Sequence, residues 1–134
     1  MTNPPALQSW IATVADSMPH LSKPQALVLA WWSFGIVVAQ SCGLTSVTAT
    51  IAKLLDKKED TVRQRLREWY QAAQDKKGAQ GKEHQRQEID VTTCFPALVQ
   101  WVLKTWSATE RRLALAIDAT TLASRFTVLA ISIV

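Results

Sequence analysis

Arg112-Leu-Ala-Leu-Ala-Ile117, then Asp118, then the link Ala119-Thr-Thr-Leu-Ala-Ser124, then Arg125-Phe-Thr-Val-Leu-Ala-Ile-Ser-Ile-Val134: this carboxyl-terminal stretch decides how the chain is read. Leu113 to Ile117 is apolar at every position, and Phe126 to Val134 is nearly so, with Thr127 and Ser132 the exceptions. Runs of this kind fit strands buried on both faces. The expectation is a strand, a carboxylate at its carboxyl end, and an apolar return strand. No third strand or helix follows to cover them, so the chain reads as the front part of something larger.

Everything upstream reads as helix. Asn3-Pro4-Pro5 opens a first helix with Leu7, Trp10, Ile11 and Val14 at helical spacing, and Pro19 ends it. Ser22-Lys-Pro-Gln25 has the form of a capping box, in which the hydroxyl and the Gln amide each satisfy free backbone N–H groups. A long apolar helix is expected from there to about Ser41, broken by Gly43. Thr45 or Ser46 is placed to cap a short third helix with Val47, Ile51, Leu54 and Leu55 on one face. After the polar turn Asp56-Lys-Lys-Glu59, a fourth helix opens at Asp60-Thr61, where acidic groups suit the helix dipole. Its Val62, Leu66, Trp69, Tyr70 and Ala73 gather on one side; Arg63, Arg67 and Gln74 lie on an adjoining side, with Gln64 and Gln71 beyond. Residues 75 to 90 hold Lys, Gly, Gln and Glu and read as a linker. A helix through Ala97, Leu98, Trp101, Val102, Leu103 and Trp106 follows Cys94-Phe95-Pro96.

The formal charge of the 134-residue chain is +4, and most of it lies between residues 53 and 88. Such a surplus suits an anionic partner, nucleic acid before membrane, although charge runs are commonly solvated faces. Gly78 and Gly81 do not make a phosphate loop, because Lys82 is followed by Glu83 rather than Ser or Thr. Cys42 and Cys94 have no partner at zinc-ligand spacing and read as small buried hydrophobes in a reducing cytoplasm. The uncharged stretch between Lys23 and Lys53 raises a membrane span as an alternative. Its strongly apolar part is shorter than the ~20 residues a spanning helix needs, and Trp31 and Trp32 fall at its middle, so a buried core helix is the favoured reading.

Two constellations carry chemistry. The third helix, polar turn and fourth helix have helix-turn-helix form, in which the first helix braces a second that meets the duplex. Arg63 and Arg67 have the fork to bond guanine, Gln64 the amide to bond adenine, and Lys53, Lys57 and Lys58 the charge to hold phosphates. The plain alternative is a solvated face. Asp118, at a strand end, is a hard oxygen ligand of the kind Mg²⁺ takes, yet a lone Asp there is more commonly a turn-former.

Thr61-Val-Arg-Gln-Arg-Leu-Arg-Glu-Trp69, Gln74-Asp-Lys-Lys77, Asp90-Val-Thr-Thr-Cys-Phe95 and above all Leu115-Ala-Ile-Asp-Ala-Thr-Thr-Leu122 with Arg125 to Val134 give the chain a family likeness. From about Ala26 onward it resembles the amino-terminal part of bacterial insertion-sequence transposases of the DDE class, the IS-four-like group. The resemblance implies an all-helical region that binds the element's ends, over residues 1 to 90. It also implies, over 91 to 134, the opening helix and first two-strand hairpin of an incomplete ribonuclease H-like α/β domain. Asp118 matches the first Asp of a triad that binds two Mg²⁺ ions for strand cleavage and transfer. The second Asp and the Glu are missing from this sequence, and one carboxylate cannot clamp both attacking and leaving oxygens. The expected function is therefore that of a truncated, catalytically inert transposase that retains DNA binding. Apolar strands with open edges add an expectation of self-association or assembly with an intact transposase. A non-catalytic helix-turn-helix regulator or transposition inhibitor is the alternative.

Overall fold

The computed structural model describes residues 4–71, 88–106, 109, 114–122 and 126–133. They form helices α1 (Pro5–Ser17), α2 (Lys23–Ala39), α3 (Leu44–Leu55), α4 (Glu59–Tyr70) and α5 (Cys94–Thr105), then strands β1 (Leu115–Leu122) and β2 (Phe126–Ile133). The described chain is mainly helical with an antiparallel hairpin at its carboxyl end. It divides into two compact units after Val102, and most of α5 lies in the first. Ala73, Gln74, Gly78, Gly81 and most of the expected linker lie outside the described residues.

Local chemistry sets the helix boundaries. Pro5 stands in the first turn of α1, where its missing N–H costs nothing, and the helix stops short of Pro19. The capping box of α2 is complete: the Ser22 hydroxyl accepts from the Gln25 backbone N–H, and the Gln25 amide oxygen accepts from the Ser22 N–H at 2.9 Å. Its other end differs from expectation. α2 ends at Ala39 because Gln40 turns left-handed, with φ 49°; the Ser41 N–H then reaches the Ile36 carbonyl and the Gln40 N–H the Val37 carbonyl. Gly43 does not break α2 but stands as the N-cap of α3, so Thr45 and Ser46 lie inside the helix and cap nothing. The same left-handed closure ends α3 at Asp56, φ 51°, a residue type that tolerates this conformation.

α2 is the centre of the helical unit and packs against α1, α3 and α4. Leu7, Val28, Trp31, Val47, Ile51, Ala52, Val62 and Leu66 form one buried cluster. α3 comes close to α2 at Gly35, where an added Cβ would stand 2.7 Å from Val47 Cγ1 and 2.9 Å from Ile51 Cγ1. Indole N–H groups tie helices across the core: Trp69 Nε1 donates to the Gln25 carbonyl at 2.9 Å, and Trp10 Nε1 to the Ser33 hydroxyl at 2.8 Å. Trp10 also packs on Trp101, bringing α5 to a second buried cluster of Val14, Ala26 and Ala30. Among the described residues no single helix is long and apolar enough to cross a membrane. α2 and α3 together have the length, but they are bent by 101°.

The cysteines depart from the buried-hydrophobe reading. Cys42 is exposed in the turn between α2 and α3, and Cys94 is half-buried at the start of α5 with His20 Nε2 3.4 Å from its sulfur. Burial, then the charge of Asp90, pushes the Cys94 thiol up from its ordinary value, so it stays protonated at neutral pH. Asp90 itself accepts from the Thr92 hydroxyl and backbone N–H, which holds its carboxyl below the usual range and shapes the 3-10 turn Val91–Thr93.

In the hairpin, Leu115 faces Ile133, Ile117 faces Ile131, Asp118 faces Ala130 and Thr121 faces Thr127. β1 therefore runs through Asp118 to Leu122, and the expected link loses residues 119 to 122 to the strand, because β-branched Thr120 and Thr121 fit a pleated surface. Burial on both faces is not found within the described structure: Ile117 is 66% exposed and Ile131 62%.

Candidate nucleic-acid interface

The α3–α4 corner is built from three local decisions. α3 closes left-handed on Asp56, the extended Lys58 starts α4, and Val62 and Leu66 go into the core, which fixes how α4 rolls about its axis. Helix, turn and helix follow one another in the expected order, but the turn is shorter than the expected Asp56 to Glu59, because α4 opens at Glu59 rather than at Asp60. Lys53 lies exposed in the last turn of α3, and Lys57 and Lys58 are exposed in the turn itself. Arg67 lies exposed in the last turn of α4, where a cation also suits the helix dipole.

The other predicted contacts are engaged within the protein. Arg63 is half-buried with its Nη2 4.0 Å from Glu59 Oε2, one turn back, and its Nε is buried without a hydrogen-bond partner. Gln64 donates its amide N–H to Glu68 Oε1 at 2.9 Å, and Glu68 is only 6% exposed. Loss of such a bond costs roughly 1–3 kcal/mol when the remaining group is buried. The i, i+4 spacing of Gln64 and Glu68 could have signalled this pairing.

Arg65 was not singled out from the sequence. Its guanidinium carbon lies 5.6 Å from the ring centre of Trp31, which is almost wholly buried, so this cation covers the core. No sequence signal joins residues so far apart. Tyr70, expected on the apolar side of α4, is 59% exposed and meets Trp32 edge-on at 6.2 Å. Asp60, Thr61, Gln64, Arg65 and Glu68 line a cleft of about 270 Å³. Its polar lining lacks the apolar walls that hold small molecules.

Asp118 belongs to the second unit. It is exposed in the middle of β1, not at the strand end, and its sheet face also carries Ala116, Thr120, Val128 and Ala130. Among the described residues no three His, Cys, Asp or Glu side chains come together as metal ligands. One carboxylate among methyl and hydroxyl groups does not fit a two-Mg²⁺ centre. Compared with protein families, with curated proteins and with solved structures, the chain shows no match in any of the three.

Proposed function

We propose that the chain binds double-stranded DNA through the α3–α4 corner, as the amino-terminal module of a DDE-type transposase. The observation that carries the reading is a helix-turn-helix connection around which Lys53, Lys57, Lys58 and Arg67 are exposed, with no ion pair to any of them among the described residues. Cations around such a corner attract phosphate, and a core-anchored second helix holds them at a fixed spacing. The resemblance of residues 115 to 134 to the start of a ribonuclease H-like domain supports the transposase assignment. Strand cleavage is not proposed for the residues described, because Asp118 stands alone.

That isolation also favours a second reading, a non-catalytic DNA-binding regulator or inhibitor of transposition. Titration of a fluorescent duplex with the full chain at low salt tests the binding itself. Saturable binding is expected, and replacing Lys57, Lys58 and Arg67 together by Ala should weaken it by about tenfold or more. Wild-type protein that leaves the duplex free would end the proposal. Duplex incubated with Mg²⁺ should stay unnicked under both readings; nicking abolished by Asp118→Ala would instead restore a catalytic role.

A further inference from the structure

We infer that the α3–α4 surface holds the duplex by its phosphates and reads no base edges; the inference rests on the DNA-binding reading above. Base readout needs a planar group free to present two hydrogen-bonding atoms at once, Arg to guanine or Gln to adenine. Arg63 is half-buried, with its Nε inside the protein and its terminal nitrogen beside Glu59. Gln64 has one side of its amide committed to the nearly buried Glu68. Arg65 is turned onto Trp31. Three of the polar side chains best suited to reading bases are therefore engaged before DNA arrives.

The first turn of α4 adds an electrostatic reason. In helix-turn-helix docking, the amino-terminal residues of the second helix reach deepest into the major groove. Here that turn carries Glu59 and Asp60, both exposed, and their carboxylates would meet the phosphates that flank the groove. What remains free is Lys53, Lys57, Lys58 and Arg67, and Arg67, the one with a guanidinium fork, lies in the last turn of α4, at the opposite end from the residues that reach into the groove. Three of these four are lysines, compact point charges that hold phosphate without regard to sequence. The chemical class of ligand is thus the duplex backbone.

The test measures full-chain affinity for two labelled duplexes of about 20 base pairs, one rich in A·T and one in G·C, from about 50 to 200 mM salt. The expected affinities agree within about threefold, and four phosphate contacts predict a log–log salt slope near −3.6, since each contributes about −0.9. Lys57→Ala with Lys58→Ala should flatten the slope by about 1.8 for both duplexes, whereas Gln64→Ala should leave slope and affinity unchanged. A preference beyond about tenfold for one duplex overturns the inference while leaving DNA binding intact. So does loss of affinity in Gln64→Ala for one duplex alone. Failure to bind either duplex overturns the DNA-binding reading itself, and this inference with it.

Discussion

The helical unit and the hairpin are both written in long apolar runs, and they treat those runs in opposite ways. Leu7, Val47, Ile51, Val62 and Leu66 have no exposed surface, whereas Leu115, Ile117, Leu129 and Ile131 are each more than half exposed. The difference is one of geometry. An apolar helix such as α2 can be surrounded by three neighbours, each covering a stripe, and α1, α3 and α4 do so. Two strands alone have two broad faces, and within the described hairpin they cover only each other's edges. A two-stranded hairpin is marginal in water without further strands or a helix against it. Stability should therefore be concentrated in the helices, and liability in the strands.

The largest expected effect tests the first half of that contrast. Leu66→Ala should cost roughly 2–5 kcal/mol in urea unfolding followed by tryptophan fluorescence, the range for cavities in packed cores. Ile117→Ala in the same experiment should leave the helical transition nearly unmoved; equal losses in the two variants would erase the distinction. Next comes the close approach of α2 and α3. Gly35→Ala inserts a methyl where Val47 and Ile51 already stand, and overpacking of that kind costs typically ~1–3 kcal/mol. An unchanged urea midpoint would mean that the two helices pack more loosely than described.

Smaller shifts sharpen the comparison from the helix ends. Ser22→Ala removes half of a reciprocal cap and should cost about 1 kcal/mol. Gln40→Gly goes the other way, because the left-handed conformation is costly for a residue with a Cβ; a gain of up to about 1 kcal/mol in thermal unfolding is expected. The smallest effect belongs to Asp90. Its carboxyl is held below the ordinary value by Thr92, so the contribution of that turn is complete above the ordinary Asp pKa and is lost as pH falls through the lower folded value. An NMR titration should show the Thr92 amide moving only in that acid range, and Asp90→Asn should remove the transition. Movement near neutral pH would assign the titration to another group.

Much of the helical unit was legible because its signals are local. Ser22 and Gln25 satisfy each other within one turn, and Val62, Leu66 and Trp69 follow a period that any isolated helix would impose. The turn after α3 was legible for the same reason, although Glu59, expected in it, begins α4 instead. The end of α2 was misread because glycine is the usual left-handed residue, and here Gln40 takes that role a few residues earlier. Strand β1 was cut short at Asp118 because a carboxylate followed by two threonines also spells a turn, and only the pairing of Thr120 with Val128 and Thr121 with Thr127 shows the strand continuing.

The candidate interface divides along the same line. The sequence by itself determined which side chains carry charge, that Lys57 and Lys58 fall in a turn between two helices, and that a single carboxylate lies in the apolar stretch near the carboxyl end. Only the tertiary structure decided which of those charges are free. Arg63 and Arg67 differ little as letters, yet one is half-buried beside Glu59 and the other stands open to solvent. Arg65 covers Trp31, which arrives from a helix distant in the chain. Helical period and capping act over a few residues and can be read from neighbours, whereas the freedom of a side chain depends on what the rest of the fold brings beside it.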